Sequence, residues 1–179
     1  MQCSNSQMIS YPAAQLARFC ASAGPSHRAA LTHLIGYLIH RPSLKITYHT
    51  GSTGGLDSFA DSNWGNSVSR KSTTGLVARY NRTPVLWRSK MQKTVSLSSA
   101  EAEYCSASEM AIETTYLRNL LGNMGLPQGD NTAVFEDNTA CIEWANHAIG
   151  GRERAKHIDI RKHFASAREA VQNGHTRLY

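Results

Sequence analysis

Leu97–Gly122, LSSAEAEYCSASEMAIETTYLRNLLG, decides how this chain is read. Ser98 or Ser99 can cap a helix by accepting backbone N–H bonds, and Glu101 and Glu103 place negative charge in its first turn, where exposed N–H groups favour it. Gly122 or Gly125 can end it. Tyr104, Ala107, Ala111, Thr114, Leu117, Leu121 and Met124 recur at steps of three and four, which draws one mostly apolar face that a core should cover. On the same wheel Glu101, Glu109 and Glu113 fall off this face, whereas Glu103 falls near its middle. An inward carboxylate needs a partner, because an unpaired buried charge is expensive. A metal shared with other acids, a basic side chain, or water in a cleft at the helix end would each serve.

Working outward from that helix, the preceding segment reads as short strands. Leu56–Asn63 alternates loosely and carries Asp61; Ser72–Tyr80 and Val85–Lys90 follow, with turn residues at Asn81–Pro84. Three strands in succession predict an antiparallel meander. After the helix comes a short apolar strand, Thr132–Phe135, which runs into Glu136 and Asp137. Asn138 or Thr139 starts another helix with Cys141, Ile142 and Ala145 inward, broken at Gly150-Gly151. A basic stretch, GRERAK, leads to a helix carrying Ile160, Phe164, Ala167 and Val171, closed at Asn173-Gly174, and His175–Tyr179 begins a last strand. The chain stopping there reads as a fragment of something longer.

Residues 1–50 have a different texture. Pro12 can open a helix carrying Leu16, Phe19, Cys20 and Ala23, stopped at Gly24-Pro25. Ser26 can cap a second, with Leu31, Leu34, Ile35 and Leu38 as its stripe, halted at Arg41-Pro42. Lys45–Tyr48 reads as a short strand and His49–Gly55 as a flexible joint, where the domain boundary is expected. The division is thus a helical hairpin over 1–50 and an α/β domain over 56–179.

The 179 residues suffice for one well-packed domain. No apolar run approaches the ~20 residues of a membrane helix, and Met1–Ser10 lacks the basic start and apolar core of a secretory signal, so an intracellular protein is expected. Cys3, Cys20, Cys105 and Cys141 show no paired spacing, which fits a reducing compartment and speaks against a zinc site or disulfide framework. None of the eight histidines has ligand spacing either. A metal, if bound, should therefore use carboxylates and be a hard ion such as magnesium or manganese. A net charge of +6 suits an anionic partner.

From Leu56 the predicted order is strand, strand, strand, helix, strand, helix, helix, strand, which gives a mixed sheet with helices packed on it. Sites in such sheets gather where strands end and helices begin. Asp61, Glu103 and Asp137 occupy those places, and if the first and fourth strands are neighbours the three acids converge. Three converging carboxylates repel unless a cation sits between them. Two magnesium ions about 3.5–4 Å apart would suit phosphodiester hydrolysis.

Four stretches taken together, FADSNWGNSVSRKSTTGLV (59–77), LSSAEAEYCSASE (97–109), EDNTACIEWA (136–145) and KHIDIRKHFASAREAVQNG (156–174), resemble the ribonuclease H domain of copia-type retrotransposon Pol polyproteins, in the same order. The segment before the joint resembles the end of the preceding reverse transcriptase. The resemblance implies a ribonuclease H-like mixed five-stranded sheet flanked by helices. It implies an endonuclease that cuts the RNA strand of RNA–DNA hybrids with two magnesium (or manganese) ions. It implies partnership with the reverse transcriptase and other segments of the same polyprotein, in the cytoplasm or a retrotransposon particle. Asp61, Glu103 and Asp137 match the family's acids; a further aspartate on a helix after the last strand would lie beyond Tyr179. Asp159 is read as a helix-cap or ion-pair residue or an accessory acid, and His157 as a phosphate contact or a packed residue. Arg70, Lys71 and Ser72, with Arg88, Lys90 and Lys93, are candidates for backbone phosphates. Ser62 and Asn63 are candidates for a 2′-OH. Trp64 and Trp87 offer either a stacking floor or aromatic core. A catalytically inactive binding or scaffold module is the alternative, and a strand-transfer enzyme fits less well because AEAEY lies on the first helix of the domain.

Overall fold

The structure, a computed structural model, describes residues 5–41, 45–48, 54–129, 131–149 and 176–178. Helices α1 (Asn5–Ala17) and α2 (Pro25–Ile39) precede strands β1 (Leu56–Asn63), β2 (Thr73–Tyr80) and β3 (Thr83–Met91). Helix α3 (Ser99–Asn123), strand β4 (Thr132–Phe135), helix α4 (Thr139–Ile149) and strand β5 (Thr176–Leu178) complete the order. The strands form one five-stranded sheet in the order β3-β2-β1-β4-β5. The first three are an antiparallel meander, as the sequence predicts, while β4 joins β1 and β5 joins β4 in parallel. This is the α/β architecture, a mixed five-stranded sheet with helices packed on it, that the resemblance implies.

Helix α3 begins where its caps dictate. Ser98 accepts a bond from the Glu101 N–H at 3.1 Å, and the Glu101 carboxylate reaches back to the Leu97 N–H at 2.6 Å. At the far end Gly125 takes φ +78°. The Gly125 N–H bonds the Gly122 carbonyl at 3.0 Å and the Leu126 N–H bonds the Leu121 carbonyl at 2.9 Å, closing the last turn. Tyr104, Ala107, Ala111, Thr114, Leu117 and Leu121 are buried as the stripe predicts, but Met124, past the helix end, is 65% exposed. Ala100, Ala102, Ser106, Ser108 and Met110 are buried as well, which the stripe does not foresee. Four of these, Ala100, Ala102, Ser106 and Ser108, are small and let the helix lie close to β1 and β2, so more than one face is covered. Ser58 and Thr114, both fully buried, share a 2.8 Å hydroxyl–hydroxyl bond across that contact.

Several expectations are corrected. The turn between β2 and β3 is only Asn81-Arg82, both at positive φ as a tight hairpin requires. Pro84 lies inside β3, which tolerates it because β3 is an edge strand with a register shift opposite Ala78/Arg79. Lys45–Tyr48 is not a strand; it is tied to β3 by single bonds, Tyr48 Oη to the Pro84 carbonyl and Thr83 Oγ1 to the Thr47 carbonyl. Pro12 lies inside α1 rather than at its start. Its fixed φ is helical, so residues upstream continue the helix with the loss of one backbone bond. That helix also ends earlier than expected, at Ala17, and a short 3₁₀ turn, Cys20–Ser22, follows. Helix α2 starts at Pro25 with Gly24 as its N-cap, not Ser26. Its stripe is not a core: Leu31, Ile35 and Leu38 are 40–47% exposed and no residue of α2 is buried. The predicted helix over 160–174 lies outside the described residues.

Candidate metal centre

Parallel pairing of β1 with β4 builds the site. Phe59 stands opposite Phe135, so two residues further on Asp61, still within β1, and Asp137, just past the end of β4, come side by side. Glu103 reaches them from the first turns of α3, which lies against β1. One carboxylate oxygen from each of Asp61, Glu103 and Asp137 falls within 4.8 Å of the others. The aspartates are exposed and Glu103 is buried, so the cluster has a closed floor and an open mouth.

Burial is the main force that pushes Glu103 up to about 7, with the Asp61 and Asp137 carboxylates adding to it and Ser62 opposing. The Ser62 hydroxyl is near enough to favour the charged form, yet no well-aligned bond joins the two. Ser62 Oγ and Glu103 Oε2 are both buried without a hydrogen-bond partner among the described residues. An acceptor so placed, beside two further carboxylates, suits a hard divalent cation, and the donor set fits magnesium or manganese.

A fourth acid joins the group. Glu136, 7% exposed, takes a 3.2 Å bond from the Asn138 N–H on Oε1, while Oε2 has no partner among the described residues. Burial first, then Glu103, Asp137 and Asp61, push it up to about 8 against the Asn138 N–H. In the sequence Glu136 stands out only as the residue before Asp137. Its signal was a carboxylate at an end of a buried strand, where desolvation is not legible from pattern. Asn138 also caps α4, accepting from the Cys141 N–H at 3.0 Å, and so fixes the segment that carries both acids.

The chain is 31% identical over 95% of its length to the retrovirus-related Pol polyprotein from transposon RE1 of Arabidopsis thaliana, covering 12% of that protein. It is 36% identical over 57% of its length to secreted RxLR effector protein 161 of Plasmopara viticola, covering 72% of it. Homologues of the chain are thus retrovirus-related Pol polyproteins of plant transposons. It spans about an eighth of the length of the RE1 polyprotein. No protein-family model matches it. The ribonuclease H1 structure of Halobacterium salinarum NRC-1 aligns at a TM-score of 0.44 and 13% identity, covering 70% of this chain and 84% of that one.

Around these acids the other candidates divide. Asn63 is exposed beside Asp61, and Ser62 is half-buried with its hydroxyl facing inward. Arg70, at φ +56°, and Lys90 and Lys93 are exposed, with Lys71 half-buried. Ser72 is fully buried and accepts from the Gly65 N–H, so it shapes the loop. Arg88 is paired with Glu113 at 2.7 Å. His157 and Asp159 lie outside the described residues. No helix among the described residues is long and apolar enough to cross a membrane.

Proposed function

We propose that this chain is the ribonuclease H-like nuclease segment of a Pol polyprotein, cutting the RNA strand of an RNA–DNA hybrid during reverse transcription. One observation carries the reading: Asp61 of β1, Glu103 of α3 and Asp137 just past β4 converge within 4.8 Å, with a buried oxygen on Glu103 that has no hydrogen-bond partner among the described residues. Asp61 and Asp137, at the open mouth, would hold two divalent ions against the substrate phosphate, and Glu103 would anchor them from the floor. Bound there, such ions lower the pKa of water and offset charge on the leaving oxygen. Arg70, Lys71, Lys90 and Lys93 would steer the phosphate backbone without reading bases. Residues 1–50 and 56–179 would be separate units, the first continuous with the reverse transcriptase, inside the cell.

Incubation with a labelled RNA–DNA hybrid and magnesium tests the reading, beside an Asp61→Asn variant. Cutting by the wild type alone is the expected result; equal cutting by both, or by neither, refutes it. A second reading, a binding module without catalysis, draws on the relative that bears the name of a secreted effector. It predicts hybrid binding that is indifferent to magnesium and no cleavage.

A further inference from the structure

Trp64 follows β1 directly, three residues after Asp61, and its large indole is 51% exposed. Its position is nevertheless held. The indole N–H donates to the Ser96 carbonyl at 3.0 Å. Ser96 is buried, and its hydroxyl donates to Gln92 Oε1 at 3.0 Å. The Gln92 amide in turn donates to the Ala102 carbonyl of α3 at 2.9 Å and to Thr74 Oγ1 of β2 at 3.1 Å. The tether thus ends on the helix turn that carries Glu103, so the indole is fixed relative to the acid cluster by its edge while ring surface stays open.

The loop behind it is equally built. Gly65, at φ +58°, gives its N–H to the Ser72 hydroxyl at 3.2 Å, and Ser67 Oγ bonds both the N–H and the carbonyl of Lys71. This holds Arg70 and Lys71 on one flank. On the other, the segment to which Trp64 is tied exposes Lys93, Val95 (48%) and Leu97 (86%). An exposed aromatic ring three residues from Asp61, on segments that also carry Arg70, Lys71 and Lys93, suits an unpaired or frayed base joined to phosphate.

We propose that Trp64 is a stacking platform for a nucleotide of the substrate, holding the strand in register with Asp61, Glu103 and Asp137. The inference rests on the hybrid-nuclease reading and adds a positioning residue to it. Stacking on one aromatic ring corresponds to roughly ten- to a hundredfold in affinity.

The test measures binding of a fluorescent RNA–DNA hybrid by anisotropy, with calcium replacing magnesium, and kcat and KM in magnesium, for the wild type, Trp64→Ala and Trp64→Phe. Trp64→Ala should weaken binding and raise KM by about ten- to a hundredfold with kcat nearly unchanged, while Trp64→Phe, which keeps a ring but loses the Ser96 bond, stays within about threefold. If Trp64→Ala fails to fold, the indole emission decides: hybrid should quench it in the wild type, and the quench should vanish in Trp64→Phe while affinity persists. Unchanged affinity and KM in Trp64→Ala overturn the platform, as does a Trp64→Phe as weak as Trp64→Ala, which would make the tether the only role. Self-association abolished by Trp64→Ala with hybrid affinity intact would assign the ring to a second copy and overturn it too. A wild type that binds no hybrid refutes the nuclease reading itself, and the platform with it.

Discussion

Replacing Glu103 by Gln removes the buried carboxylate of the acid cluster and keeps its shape. Glu103 sits at about 7 in the fold against an ordinary 4.5, chiefly through burial. A raised acid means that the folded state binds more protons than the unfolded one across this window, so stability falls as pH rises from 4.5 to 7 and the loss is complete above it. At ~1.36 kcal/mol per pH unit, the full displacement corresponds to about 3 kcal/mol. Solvent at the mouth, where Asp61 and Asp137 are exposed, screens part of this, leaving about 1–2 kcal/mol. For a chain of this size that is roughly 3–6 °C in Tm. Thermal unfolding of the metal-free protein at pH 5 and pH 8 is the assay. Glu103→Gln should be close to wild type at pH 5 and more stable at pH 8. Magnesium or manganese should raise the wild-type Tm at pH 8 and raise that of the variant much less. A variant destabilised at pH 8 and equally responsive to metal refutes the reasoning, because that is what loss of an ion-pair partner would produce.

Glu136→Gln should act in the same direction, stabilising the metal-free protein as pH rises from 4.5 to 8, checked in the same titration; a loss of stability there would mean that Glu136 has a cationic partner. Glu101→Gln should leave metal-dependent cutting largely intact, since its carboxylate caps the Leu97 N–H, whereas Glu103→Gln abolishes it; a gel assay on hybrid substrate separates the two. Thr114→Val should cost about 1–3 kcal/mol in urea unfolding, because Ser58 Oγ is then buried without its partner. Gly125→Ala should cost about 1 kcal/mol, from backbone strain alone, as nothing lies within 4 Å of the added methyl; a neutral result would remove the closing turn from the account of α3.

Sequence alone determined the features that are local. The caps and period of α3, the bounds of β1 and β4, and the inward aim of Glu103 follow from spacing and from hydrogen bonds between residues a few positions apart. Those same local rules were silent where distance along the chain is large. That β1 and β4 are neighbours, bringing Asp61 beside Asp137, was conditional until the sheet closed. Desolvation was invisible in the same way: Glu136 is an ordinary acid in sequence and a buried one only because the sheet and α3 surround the end of β4. The stripe of α2 shows the converse, since periodicity signals a face able to be buried and only packing decides whether anything covers it. Trp64, open to either core or stacking floor on sequence grounds, is half exposed in the fold and tied by its indole N–H to Ser96, thirty-two residues away.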